Sequence, residues 1–294
     1  MELEELKTLN DADYNLEIDK FSVYERKDFR NLNYRVMSHT LYKCENDSEI
    51  VEVINKTKSK QFIIYDKDYD GSTNKINLDG PTTNVVISQK RTYEAASSYK
   101  GKKIAVLNFA NNHNVGGSPF YAGAQEESLC RTSSLYPCIL NEEKTFYKYH
   151  TKLYEQGKLD NRGNGDLIYS PNVLVFKSDE SAPKMLNSED RFFVDIITLA
   201  APQFSSVKEA GNFYKEKIKP RLRKVFEVAK ENRVEVLILG AWGCGAFHNP
   251  TQEVAEVFKE LCSEYKFDTI EFAIYCRNYE TKNYEIFKRV FEEE

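Results

Sequence analysis

The sequence predicts an α/β fold: a mixed sheet flanked by helices, with a mainly helical N-terminal extension. Two observations carry the prediction. From residue 84 on, short continuous apolar runs alternate with segments of helical periodicity, the pattern of a sheet covered on both faces. Two of those runs also open directly into glycine loops, and open α/β sheets bind ligands at the carboxyl ends of their strands. Residues 1–83 are expected to form a helical extension packed on a core spanning 84–294.

The elements follow in order. "YRVMSHTLYKC" and "SEIVEVINKT" have helical periodicity, with Ser48 as the expected N-cap of the second. "QFIIYDK" is a short strand, and residues 68–84 are a turn-rich connector. "NVVIS" is a strand, "TYEAASSYK" a helix ending at Gly101, and "KIAVLNF" a buried strand. One helix is expected from Gln125 to Tyr136 and another over residues 142–158, closed by "NRGNG". "DLIYSPNVLVFK" predicts strand and turn; "RFFVDIITLAAP" predicts an apolar strand ended by Pro202. A single long helix kinked at Pro220 is expected over 207–232. "VEVLIL" is a buried strand, "PTQEVAEVFKELCSEY" a helix with Pro250 near its first turn, "DTIEFAIYC" a strand and "TKNYEIFKRVFEEE" the closing helix.

Composition narrows the function. The chain has 294 residues, 30% charged and 41% apolar, a soluble globular profile with room for a large core. A net charge of -5 argues only weakly against non-specific DNA binding and leaves a local basic groove open; no sequence-specific nucleic-acid partner is expected. The N-terminus lacks the apolar stretch of a signal peptide, and no apolar run reaches the ~20 residues of a membrane span. Six scattered cysteines with no C-x-x-C pair read as reduced thiols, so a cytoplasmic protein is expected, without a zinc site.

The first glycine loop, "NFANNHNVGGS", leaves its strand through Asn111 and reaches Gly116 and Gly117. The second, "GAWGCGAFHNP", holds Gly240, Gly243 and Gly245, after which Pro250 opens a helix. Glycines bring backbone N–H groups close to an anion, and a helix N-terminus adds further donors. Two such loops on one sheet edge suit a diphosphate, although either alone reads equally well as plain turns. Neither is a phosphate loop of the G-x-x-x-x-G-K-[ST] type or a dinucleotide fingerprint, which disfavours phosphoryl and hydride transfer.

Glu126 and Glu127 open the helix after the first loop. Neighbours on a helix diverge by about 100°, so the two carboxylates address different atoms. Taken alone, ordinary first-turn acids favoured by the helix dipole explain them. A helix N-terminus lowers a carboxyl pKa, whereas burial and a neighbouring carboxylate raise it.

"NVGGSPFYAGAQEESLCR" resembles the triple-glycine, spacer, Gln-Glu-Glu signature of the bacterial-type poly(ADP-ribose) glycohydrolases, a branch of the macrodomain fold. "NFAN" with its glycines, "GAWGCGAF", "IYSPNVLVFK" and "VDIITLAAP" resemble further segments of that family, in order, over residues 84–292. Ser118 departs from the pattern, standing where a third glycine is usual. If that position needs positive φ, a serine there is strained.

The resemblance implies hydrolysis of ADP-ribosylated substrates with release of ADP-ribose, and no metal or cofactor. Glu127 would protonate the leaving oxygen of the ribose–ribose bond and then deprotonate water. Glu126 and Asn111 would hold the distal ribose, and Gln125 would orient the glutamates. Gly116 and Gly117, with Ser118, would wrap ribose and phosphate. Gly243, Cys244, Gly245 and Ala246 would line the diphosphate site, and Phe247 would pack on the distal ribose. The implied partner is ADP-ribose or an ADP-ribosylated macromolecule, bound by a monomer. Two alternatives stand beside this: a reader that binds ADP-ribose without cleaving it, with Ser118 as the sign of decay, and a hydrolase for one mono-ADP-ribosylated target. Cys130 reads as packing, Cys244 as a weak candidate nucleophile, His113 and His248 as loop histidines, and Trp242 as support beneath the second loop.

Overall fold

The computed structural model describes residues 6–24, 29–69, 82–211, 214–276 and 280–292. Among the described residues seven strands form one sheet: β1 (Phe62–Ile64), β2 (Asn84–Ser88), β3 (Ile104–Ala110), β4 (Leu167–Val175), β5 (Phe192–Ala200), β6 (Val236–Leu239) and β7 (Thr269–Ala273), in the order β1-β4-β5-β3-β6-β7-β2. The block β5-β3-β6-β7-β2 is parallel, and β4 runs antiparallel to both β5 and β1. The continuous apolar runs of β3 and β6 lie in the interior of the sheet, covered on both faces. All five parallel strands therefore end on one edge, where the ligand loops emerge.

The helices are α1 (Asp11–Tyr24), α2 (Phe29–Asn46), α3 (Ser48–Lys60), α4 (Thr92–Ser97), α5 (Gln125–Thr132), α6 (Leu135–Leu140), α7 (Lys148–Glu155), α8 (Val207–Ala210), α9 (Tyr214–Glu231), α10 (Thr251–Glu264) and α11 (Lys282–Glu292). One sheet face packs on α9, α10 and α11 through Phe226, Phe258 and Phe287. The other packs on α4 to α6 through Tyr93, Leu129 and Ile139. A third apolar cluster joins α1, α2 and α3 to Cys138, Leu174 and Phe176, so the N-terminal helices sit against α6 and β4. β1, from the same N-terminal segment, extends the sheet beside β4.

Several expectations need correction. The cap of α3 is Asp47, whose carboxylate accepts from the N–H groups of Glu49 and Ile50; Ser48 is the first helical residue. The helix from Gln125 stops at Thr132 rather than Tyr136, because Ser133 is extended and bridges Val175 while the Ser134 N–H bonds the Leu174 carbonyl at 2.9 Å. The edge of β4 thus captures backbone that a continuous helix would have used. Within residues 166–177 a single strand, Leu167–Val175, runs on through a bulge between Ser170 and Val173, where a strand and turn were expected. Pro171 lies in the bulge and has no N–H to give a ladder. The 142–158 helix begins as a π turn, Glu143–Tyr147. The long helix of 207–232 is two: α8 ends at Ala210, where Gly211 turns to φ 58, and α9, from Tyr214, runs through Pro220. Of the turn-rich connector, residues 70–81 lie outside the described residues.

Candidate active site

β3 and β6 are adjacent parallel strands, so the two glycine loops leave the sheet side by side. A cavity of about 330 Å³ opens at this edge. Gly123, Ala124 and Gln125 form one wall, and Gly243, Gly245, Ala246 and Phe247 another. Its far end is closed by residues following β2 and β7, among them Arg91, Thr92, Ile274 and Tyr275. The Arg91 guanidinium lies 4.0 Å above the Tyr275 ring.

The second loop is built to present donors. Four of its N–H groups bond within the loop: Trp242 to the Gly240 carbonyl, Cys244 to Ala241, His248 to Gly245 and Asn249 to Gly243. Those of Gly243, Gly245, Ala246 and Phe247 take no acceptor among the described residues, and all four residues line the cavity. Gly243 holds φ 73, and a Cβ there would collide with Asn249 and Ala201. Trp242 is fully buried beneath the loop and donates its indole N–H to the Leu199 carbonyl at 3.0 Å, as expected of a support. The Cys244 N–H is used inside the turn, and burial pushes its thiol up to about 12, a direction that disfavours a thiolate nucleophile.

The carboxylates lie just beyond the Gln125 end of the cavity. Gln125 ties α5 to β3: its Oε1 accepts from the Phe109 N–H at 2.9 Å, and its Nε2 donates to the Leu107 carbonyl at 2.8 Å. Glu126 is 3% exposed, with both oxygens occupied. Oε1 accepts from Asn108 Nδ2 at 3.2 Å and Oε2 from the Asn111 N–H at 2.7 Å. Burial raises its pKa well above the ordinary carboxyl range, against the pull of the Asn111 N–H and with the Glu127 charge adding to the rise.

Glu127 is 8% exposed and differently held. Its Oε1 accepts from the Ser118 N–H at 3.0 Å, while its Oε2 is buried with no partner among the described residues. Gly117 covers this carboxylate so closely that a Cβ would collide with Oε1. Buried polar atoms are nearly always satisfied, so a free carboxyl oxygen under a glycine loop is the site's most informative feature.

Gln125, Gly243, Gly245, Ala246 and Phe247 thus line the cavity, whereas Asn111, Gly116, Gly117, Ser118, Glu126 and Glu127 assemble the adjoining acid cluster. The Asn111 Oδ1 accepts from the N–H groups of His113 and Asn114, shaping the loop. Gly116 rests on Cys130 and Tyr136, and burial raises the Cys130 thiol pKa, so this cysteine is packing. Ser118 is not among the positive-φ residues, which removes the strain expected of it. His113 is half-buried, with its pKa lowered by burial, and His248 is exposed with Nδ1 against the Phe204 carbonyl at 3.0 Å. Among the described residues, no group of three or more His, Cys, Asp or Glu is placed to hold a metal ion.

The sequence reading missed Asn108, Arg91, Thr92, Tyr275 and Asp179. Asp179 accepts from the Tyr93 N–H at 2.8 Å and from Ser128 Oγ at 2.9 Å at the cavity wall. The available signal was position, since Arg91 and Tyr275 follow the carboxyl ends of parallel strands.

The family model described as "Microbial-type PARG, catalytic domain" matches residues 30–178. The chain is similar to the crystal structure of poly(ADP-ribose) glycohydrolase from Thermomonospora curvata, with a TM-score of 0.74 and 26% identity over 88% of this chain and 99% of that one. The same enzyme bound to the inhibitor ADP-HPD matches with a TM-score of 0.71 and 26% identity, over 87% and 98% of the two chains. The Deinococcus radiodurans poly(ADP-ribose) glycohydrolase in complex with ADP-ribose matches with a TM-score of 0.69 and 26% identity, over 81% and 96%. No curated protein matches the sequence.

Proposed function

Because the chain belongs to the microbial-type poly(ADP-ribose) glycohydrolase family, we propose that its cavity holds one ADP-ribose unit and that Glu127 is the acid that cleaves the bond beyond it. The observation that carries this is the buried, unpartnered Oε2 of Glu127 beside the glycine loop. The four free N–H groups of the second loop suit the pyrophosphate. The Arg91–Tyr275 end suits the adenosine, an aromatic ring and a cation both being good neighbours for a purine. The distal ribose then falls toward Gly117 and Asn111, within reach of the carboxylates.

In this reading the Ser118 N–H fixes one Glu127 oxygen, and the free oxygen delivers its proton to the departing ribose oxygen. As that C–O bond breaks, positive charge develops on the anomeric carbon. The Glu127 carboxylate left by that proton transfer and the substrate's own diphosphate stabilise it. Water attacks the anomeric carbon and gives its proton to the Glu127 carboxylate, which restores the acid. Glu126, with both oxygens engaged by the protein, orients rather than reacts.

Ser118 does not argue for a decayed reader, since its φ is not positive and its backbone N–H bonds Glu127 as a glycine's would. We further propose that residues 1–83 are an extension of the catalytic unit, because they supply a strand to its sheet and the family match begins at residue 30. The fold is then of macrodomain type. Its six free thiols fit a cytoplasmic location, and no described helix is long and apolar enough to cross a membrane.

The test is turnover of ADP-ribose polymer and of mono-ADP-ribosylated protein by wild type and Glu127→Gln. Loss of a general acid lowers kcat by about 10³-fold, and the variant is expected to keep its affinity for ADP-ribose in calorimetry. A Glu127→Gln enzyme at full rate would remove the assignment, and a wild type inactive on both substrates would favour the reader.

A further inference from the structure

We propose that Asn33, on the N-terminal helix α2, is a positioning residue for Glu127; the proposal rests on the reading of Glu127 as the acid. The argument begins with the loop that supplies the Ser118 N–H. Between Gly117 and α5 the chain turns tightly, with the Ser118 carbonyl accepting from the N–H groups of Tyr121 at 3.0 Å and Ala122 at 2.9 Å. Three of the remaining carbonyls, those of Pro119, Tyr121 and Ala122, accept from buried side chains. Arg131, one turn after Glu127 on α5, donates Nη1 to the Pro119 carbonyl at 2.8 Å and the Ala122 carbonyl at 2.7 Å. Asn33 donates Nδ2 to the Tyr121 carbonyl at 3.2 Å and the Ala122 carbonyl at 3.1 Å. Both side chains are buried, at 5% and 7% exposure.

α2 also grips the helix that carries Glu127. Thr40 donates its hydroxyl to the Arg131 carbonyl at 2.6 Å, and the buried Lys177 fixes Thr40 by a 2.7 Å bond to its Oγ1. Asn33 and Thr40 are seven residues apart, about two turns, and so share one face of α2. That face bridges the loop at Asn33 and the helix at Thr40, the two pieces that set where the Glu127 carboxylate lies. Loss of the Asn33 donors leaves the Tyr121 carbonyl without its donor and the Ala122 carbonyl to Arg131 alone, which loosens the turn that carries the Ser118 N–H, so the acid loses its aim while the diphosphate loop is untouched.

The experiment uses full-length variants, with turnover on polymer, ADP-ribose affinity by calorimetry and thermal melts on each. Asn33→Leu keeps the side-chain shape without donors, and Asn33→Ala, which also has none, carries the same test should the leucine variant not fold. The expected result is a kcat about tenfold lower, because small misplacements of a reacting group are costly, with KM and ADP-ribose affinity essentially unchanged. Asn33→Gln, which keeps the amide, recovers part of kcat. Ile50→Ala, buried in the same helical layer, lowers the melting temperature without lowering kcat well below the melt. A wild-type kcat for the donor-free variants overturns the proposal, as does a loss that Ile50→Ala reproduces. If Glu127→Gln is itself fully active, the acid assignment falls and this proposal with it; failure at Asn33 alone leaves that assignment standing.

Discussion

The two glycine loops leave neighbouring strands and use the space that glycine vacates in opposite ways. At Gly117 the missing Cβ is the place the Glu127 carboxylate occupies, with Glu126 Oε2 3.2 Å away. At Gly245 a Cβ would meet nothing within 4 Å. The first loop closes on the protein's own acid; the second stays open and presents N–H groups to a cavity. One glycine-rich signature therefore serves two purposes, and substitution at each glycine reports a different one.

The largest contrast is expected at Gly117. Alanine there must take up φ +68, a left-handed conformation costing about 1–2 kcal/mol for a residue with a side chain, and must also push the Glu127 carboxylate aside. Gly117→Ala is expected to lose about 10²-fold in kcat and to melt several degrees lower. Kinetics on polymer together with a melt check both parts. Full activity would mean that the acid does not depend on the loop covering it.

Next comes the acid cluster's dependence on pH. Burial raises the Glu126 pKa above the value of about 4.3 it has in the unfolded chain. The folded state therefore holds this proton to higher pH than the unfolded state does. Below about pH 4.3 both states are protonated and the group is neutral in its effect; above it, stability falls as pH rises, by up to about 1.4 kcal/mol per unit, until the folded carboxyl ionises. Glu126→Gln should flatten this fall. Melts from pH 5 to 8 check it, and equal slopes in both proteins would show that the bonds from Asn108 and Asn111 offset burial.

What was legible in the sequence was local. Gly116, Gly117, Glu126 and Glu127 lie within twelve residues, so spacing alone put them together. The apolar runs of β3 and β6 announced buried parallel strands because both faces are covered. Illegible features depend on contacts between distant segments. Arg91 meets Tyr275 only because β2 pairs with β7, and Asn33 reaches Ala122 only because α2 lies across α5. The same cause explains local errors. Nothing inside residues 125–136 marks Ser133 as a break, which arises from a bridge to Val175. Asp47 outcompetes Ser48 as a cap by geometry that single-residue preferences do not resolve.

The smallest effect expected is also the sharpest discriminator between the loops. Gly245 is exposed, its φ lies outside the left-handed region, and an added methyl has open space around it. Gly245→Ala should thus melt like wild type, within about 0.5 kcal/mol. Its methyl would stand at the mouth of the cavity beside N–H groups left free for a ligand, so affinity for ADP-ribose should weaken by about tenfold, the scale of one or two kcal/mol of lost contact, with kcat nearly unchanged at saturating substrate. Calorimetry on the pair Gly245→Ala and Glu127→Gln then separates holding from cleaving. The first variant loses grip and keeps rate, and the second keeps grip and loses rate. Should Gly245→Ala bind as tightly as wild type, the free N–H groups of the second loop point somewhere other than the pyrophosphate, and the ligand lies along a different path through the cavity.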